Sequence, residues 1–407
     1  MKNTQTLLGL ALFFTIIIFG PLLLNKIELF YRLLIGLGFG FALTRASMGF
    51  AGSVNRLSRI GTASLAKALL WMFLLTSILT SFLIYDNTDI YSLNIYPINL
   101  GLILGGLLFG FGMALSSCCA TGSLTDLASG FSRASVTIFF FGIGVFLGFF
   151  TQGTSSLVRE SWFTSETGEL SKGGVFLPDL FLYDGLNGYL GAILITGLFS
   201  YIIIYLASRY EKKINISTNT KIEEKVTLLS YNSIFIKPWS MALSSVVVAV
   251  LFVTLLEVSG KGWSATSPFG VWFAKILMLT GISAENISEF TSRPAEFFTQ
   301  PLLEYGTSLQ NFGIIFGTVI ALLLSQTFSQ KFISGLKITP KAFFIYSFGG
   351  FIMGFGTRLS NGCNVGALFT PIAEFSLSGW IYLIFVVIGG FSGNWFIKRY
   401  ISKSCSF

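Results

Sequence analysis

GFGMALSSCCATGSL (residues 110–124) and GFGTRLSNGCNVGAL (residues 354–368) are one pattern written twice. Eight of the fifteen positions are identical without a gap, among them Ser116 with Ser360, Cys119 with Cys363 and Gly122 with Gly366. Upstream, Gly105-Gly106 and Gly349-Gly350 extend the match. A pattern repeated at such distance marks a duplicated unit, and each copy closes an apolar run of the length of a membrane helix.

The composition makes lipid the solvent. Of 407 residues 53% are hydrophobic and 11% charged, whereas soluble domains carry about 25% charge. The apolar runs are continuous and roughly twenty residues long, which selects helices over the alternating ten-residue strands of a barrel. Ten such runs fall near 6–24, 29–44, 66–85, 98–117, 134–152, 186–207, 238–257, 311–328, 341–359 and 378–397. An eleventh, near 268–283, is too interrupted to span. The run at 6–24 has no small-x-small cleavage site after it and reads as a retained helix. The expected fold is therefore an all-α polytopic membrane protein of about ten transmembrane helices.

Cation placement orients the helices. The stretch 45–67 carries Arg45, Arg56, Arg59 and Lys67 without an acid, and reads as cytoplasmic. The stretch 86–97, with Asp86 and Asp89, and the acidic stretches 153–185 and 284–310 read as external. The linker 208–237, with Arg209, Lys212, Lys213, Lys221, Lys225 and Lys237, is cytoplasmic again, as are both termini. The chain divides at that linker into membrane halves 1–207 and 238–407. The excess of 26 Lys+Arg over 18 Asp+Glu follows from this loop bias, and no basic stripe interleaved with aromatics points to nucleic acid.

In this topology Cys119 follows a helix running inward and Cys363 one running outward. The two copies are thus expected as inverted repeats, the device by which many transporters build a site near the midplane. Polar residues and glycines directly after each helix predict short re-entrant helices, whose irregular backbone survives only against protein or a wet cavity. The N–H groups opening the short helix can face an anion.

The cysteines narrow the chemistry. The chain has four, Cys118, Cys119, Cys363 and Cys405, and no histidine. That excludes a His-ligated metal or a His base, and no cofactor or nucleotide-binding motif is evident. A thiol is small, polarizable and a weak donor, suited to a soft sulfur atom. Cys119 and Cys363, at equivalent positions, are the candidates; Cys118 and Cys405 read as small hydrophobes. Ser116, Ser360, Thr121, Asn364, Gly122 and Gly366 accompany them. Arg358, five residues before Cys363, is a candidate for attracting the anion, while Arg45 reads as an anchor snorkelling to the interface. GFGFALTRASMGFAG (38–52) and SATSPFGVW (264–272) are candidates for the opposing walls.

These residues point to a non-enzymatic carrier of a small sulfur-containing anion. A membrane thiol enzyme moving sulfane sulfur, or a selenium species, through a cysteine persulfide is the alternative from another class. An activated thiolate wants a base nearby, and Asp126 and Glu374 are the nearest acids. A small-ion or sulfide channel, needing no thiol, is the third reading.

Through Cys119-Ala120-Thr121-Gly122, Asn361-Gly362-Cys363-Asn364-Val365-Gly366 and Arg45–Gly52, the chain resembles the YeeE/YedE family of thiosulfate transporters. The resemblance implies a bacterial inner-membrane importer shaped like an hourglass. It also implies that thiosulfate passes cysteine thiols by S–H···S hydrogen bonds, with a TusA-like cytoplasmic sulfur-carrier protein as partner. The family often has a third cysteine in its first motif. Here Gly49 stands in that place, preceded by Met48, whose thioether is soft but donates no hydrogen bond. Some members of the family are associated with selenium metabolism.

Overall fold

The computed structural model describes residues 2–85, 88–214 and 232–401; Asp86, Lys221, Lys225 and Cys405 lie outside them. Among the described residues the chain is helical apart from two isolated bridges. The first half runs α1 (Lys2–Leu23), α2 (Ile27–Ala46), α3 (Phe50–Arg59), α4 (Ser64–Ile84), α5 (Leu100–Ser116), α6 (Ala120–Asp126) and α7 (Phe131–Thr154). The second runs α8 (Tyr189–Lys213), α9 (Met241–Ser259), α10 (Ser267–Leu279), α11 (Gly306–Leu324), α12 (Pro340–Leu359), α13 (the wider-wound Asn364–Phe369) and α14 (Leu377–Phe396). Ten helices among the described residues are long and apolar enough to cross a membrane, each over one of the ten runs read from sequence. The interrupted run near 268–283 is the shorter α10. The chain is a polytopic membrane protein.

Local chemistry sets the main boundaries. Asn99 caps α5 by accepting from the N–H of Leu102 at 2.9 Å, and Ser240 caps α9 from Leu243 at 3.2 Å. Pro340 opens α12, with Thr339 accepting from the N–H of Ala342, where a missing proline donor costs nothing.

Helix packing falls into reciprocal pairs. α5 lies against α14 and α12 against α7; α2 against α11 and α9 against α4. α3 lies against α14 and α10 against α7, while α1 rests on α11 as α8 rests on α4. Exchanging the two series therefore leaves the pattern unchanged. Glycine makes the central crossing possible. A Cβ on Gly105 would lie 2.7 Å from the carbonyl oxygen of Gly356, and one on Gly112 2.5 Å from that of Gly349. Equivalent positions thus meet in exchange. Gly110 approaches the Val386 carbonyl and Gly354 the Phe141 carbonyl, with a Cβ placed at 2.1 and 2.2 Å. Such close approach between backbones is how helices associate where lipid supplies no hydrophobic drive.

The centre is aromatic. Phe39 stacks on Trp263 at 3.8 Å between centroids, and Phe369 contacts Phe50, Phe73, Phe252 and Trp263. These rings fix α3 and the loop before α10 against the segment that follows Cys363.

Candidate functional site

Each cysteine sits just past a helix that stops in the same way. After α5 the backbone turns left-handed at Ser117 (φ 56°), and after α12 at Asn361 (φ 60°). Neither is glycine, so both breaks carry local strain. A serine hydroxyl bridges each break. Ser116 Oγ donates to the carbonyls of Gly112 (2.8 Å) and Cys118 (3.2 Å); Ser360 Oγ donates to those of Gly356 (2.9 Å) and Gly362 (3.0 Å). One hydroxyl thus links the last helical turn to the chain beyond it. Ser116 and Ser360 hold the break rather than the space beyond.

Two residues on, each cysteine caps the next short segment with its sulfur. Cys119 Sγ accepts from the N–H of Gly122 at 3.3 Å, with the N–H groups of Ala51 and Thr121 around the same atom. Cys363 Sγ accepts from Val365 at 3.4 Å, with the N–H of Gly366 beside it. Donors that occupy a sulfur lone pair polarise the S–H outward and leave it free to donate. Both thiols are buried, as is that of Cys118, and all three are free.

The glycines beside the sulfurs differ in kind from those at the helix crossing. A Cβ at Gly49 would meet nothing within 4 Å. At Gly122 it would meet the Cys119 sulfur at 3.3 Å, and at Gly366 only the Ser264 hydroxyl at 3.8 Å. Gly49 is extended (φ −117°) and needs no glycine for its conformation. At Gly49 and Gly366 a missing side chain means open room, and at Gly122 an added methyl would press on the Cys119 sulfur rather than on backbone.

Gly49 and Gly122 face a cavity of about 320 Å³, lined also by Met48, Cys119 and Thr121. Arg56, Arg133 and Lys331 line its mouth, with Asp126 paired to Arg133. The Thr121 hydroxyl is buried there without a partner. A second cavity, of about 300 Å³, lies at the other end of α7, lined by Tyr96, Gln152, Arg159, Lys172 and Asn361. Arg133 and Gln152 stand at opposite ends of that helix, roughly 28 Å apart at 1.5 Å per residue. Gln152 Nε2 donates to Asn361 Oδ1 at 2.6 Å, on the loop that leads to Cys363. Lys172 donates to Asn94 Oδ1 at 2.6 Å and stands over the Tyr96 ring. Burial pushes the Lys172 ammonium below its usual range and the Tyr96 phenol above its own.

The buried side chains around the two cysteine motifs are soft and polar. Asn364 Nδ2 donates to Met113 Sδ at 3.1 Å, its Oδ1 left without a partner. Tyr382, fully buried, brings its hydroxyl near Ser360. Met113 lies in the repeated stretch but at a position where the two copies differ, and Tyr382 carries no motif signal; their roles emerge only from packing. Arg358 is 3% exposed and donates to Thr266, Ser267 and Thr357 hydroxyls. Arg45 is buried rather than exposed, and it donates to the backbone carbonyl of Lys237, where the chain before α9 folds over its end. Glu374 is buried against the N–H of Asn94, on the side of the second cavity, and Asp126 is held by Arg133. Among the described residues no group of His, Cys, Asp and Glu is arranged to hold a metal.

Known proteins are similar to this chain in sequence. The family described as "Sulphur transport" matches residues 45–392. The thiosulfate transporter TsuA of Spirochaeta thermophila is 26% identical over 378 residues, covering 90% of this chain and 98% of the relative. Escherichia coli TsuA, also a thiosulfate transporter, is 23% identical over 90% of this chain and 93% of its own length. The probable transporter YedE of Salmonella typhimurium is 30% identical over 165 residues, 40% of this chain and 38% of its own. With a family match running through both cysteine motifs and most of the spans, the chain belongs to the YeeE/YedE sulphur-transport family.

Proposed function

We propose that the protein is a bacterial inner-membrane importer of thiosulfate or a closely related sulfur oxyanion, its termini cytoplasmic, carrying the intact ion past Cys363 and then Cys119. The observation that carries this reading is the pair of sulfur-capped breaks, each with backbone N–H groups around the sulfur and a glycine beside it, associated with cation-lined cavities at opposite ends of α7. Thiosulfate joins a soft terminal sulfur to three hard oxygens. The thiol donates S–H to the former, and the cations of each vestibule offset the charge of the latter.

The reciprocal packing supports two repeats of opposite orientation, the first ending with α7 and the second beginning with α8. Five spans in each repeat, an odd number, invert the second relative to the first. Placing the repeat boundary before α8 rather than at 208–237 is supported by the packing of α8 on α4, which parallels that of α1 on α11. In this reading α6 and α13 are the re-entrant segments and the two cavities the halves of an hourglass. Gly49 leaves two thiols in the path, with the Met48 thioether as a third soft contact. On the cytoplasmic side, the mouth with Arg56 and Lys331 would hand the ion to a TusA-like acceptor.

The test is uptake by sealed proteoliposomes of thiosulfate labelled at both sulfurs. Wild type accumulates both labels in equal amounts, and Cys119→Ser or Cys363→Ser lowers the rate at least tenfold. Accumulation of one label alone identifies sulfur transfer instead, and flux indifferent to both substitutions identifies a channel.

A further inference from the structure

Arg293 has no part in the path described so far, yet it stands beside Arg358 in an arrangement that lacks a counter-charge. Arg293 lies 4.6 Å from the centroid of Phe149 and Arg358 5.4 Å from the same centroid. The two guanidinium carbons are therefore at most about 10 Å apart. Arg293 donates to Gln152 Oε1 at 2.7 Å, and its Nε is buried without a partner. Arg358 is satisfied only by the neutral hydroxyls of Thr266, Ser267 and Thr357. Among the described residues neither arginine forms an ion pair.

Arginine is almost never buried unpaired, because neutral dipoles replace water's solvation poorly and leave the charge uncompensated. At the end of the spanning helix α12 the buried charge of Arg358 marks an ion pathway by default, and the half-buried Arg293 stands beside it. Two cations against one ring also repel each other, and an anion between them would relieve both costs. The way in is defined. Gln152, which holds Arg293, also donates to Asn361, and both line the second cavity, where Arg159 and Lys172 sit.

We propose that Arg293 and Arg358 form an outer anion-binding site that takes a small oxyanion of charge −1 or −2 and loads it ahead of Cys363. The Gln152–Asn361 hydrogen bond is its floor, joining the arginine pair to the loop of the second cysteine motif. The inference rests on the transport reading for its place in the path, but the site binds by charge and needs no thiol.

That difference sets the experiment. Thiosulfate, with sulfate in parallel, is titrated calorimetrically into the full-length protein in detergent, and uptake is measured in proteoliposomes. The variants are Arg293→Gln, Arg358→Lys, Arg358→Met and the double Cys119→Ser/Cys363→Ser. Loss of one charge-assisted partner is expected to weaken binding roughly tenfold or more, with a matching rise in KM, a Vmax within about twofold of wild type, and Arg358→Lys intermediate. The double cysteine variant keeps the binding and loses the uptake. Arg293→Gln decides the matter if Arg358→Met does not fold. Binding and KM unchanged in Arg293→Gln, or binding abolished by the cysteine pair alone, overturns the outer site. Normal uptake by the double cysteine variant, with the arginine effects intact, overturns the thiol path and leaves this site standing.

Discussion

Gly122→Ala separates the two roles that glycine plays in this protein. At Gly122 the added methyl meets the Cys119 sulfur at 3.3 Å and the Cys118 Cβ at 3.7 Å, and no backbone. The residue is in the first turn of α6, where alanine is favoured over glycine by up to about 1 kcal/mol. The Cys119 sulfur has to give by a few tenths of an ångström at that contact, which offsets the propensity gain, so stability should stay within about 1 kcal/mol of wild type. The control is Gly110→Ala, whose methyl would lie 2.1 Å from the Val386 carbonyl oxygen. There α5 and α14 have to separate, at a cost of about 1–3 kcal/mol for overpacking. Thermal unfolding of both proteins in the same detergent should show Gly110→Ala melting several degrees low and Gly122→Ala unchanged. Thiosulfate uptake per folded molecule should reverse the order: the methyl of Gly122→Ala occupies the room over the thiol, so that variant falls at least tenfold. If Gly122→Ala instead melts as low as Gly110→Ala, or transports as well as wild type, the open space at Cys119 has no part in the path.

Two further outcomes follow from the same coordinates. Gly49→Cys should fold with a melting temperature within about 2 °C of wild type, since its side chain enters empty space from an extended backbone, and should place a third thiol in the cavity that Cys119 lines; a marked loss of stability would mean that the space is already filled. Asp184 accepts from the N–H groups of Leu186, Gly188 and Gly191 at the start of α8, and these donors, that of Gly191 first, hold its carboxyl below the usual range. Asp184→Ala should lower the melting temperature at pH 7, and the deficit should shrink as pH falls below the ordinary carboxylate value, because wild type then loses the same cap. A deficit that stays constant down to pH 3 contradicts this account.

The spans were legible because a bilayer demands continuous apolar length, and each of the ten runs became a helix of that length. The broken run at 268–283 was legible as a non-spanning element for the converse reason: Ser267–Leu279 is thirteen residues long. Side-chain environment was less readable. Arg45 carries a charge at a helix end, which in sequence looks like an anchor, yet the chain around Lys237 closes over it. Arg293 was hidden by the acids around it, Glu285, Glu289, Glu296 and Glu304, which made 284–310 look like a plain external loop. Only the fold brings Arg293 over Phe149, more than a hundred residues earlier in the chain. The glycines posed the same difficulty. Gly112 and Gly122 are indistinguishable as letters, and what separates them is the atom that a methyl would strike.

The reciprocal crossing of α5 and α12 bears on how the protein is made. Gly105 and Gly112 form a groove for a partner that is synthesised more than two hundred residues later, since Gly349 and Gly356 are what fill it. When the first five spans have left the ribosome, the groove lies open to lipid and their packing is incomplete. Neither series is a finished unit that the other merely joins, and each is the template on which the other closes.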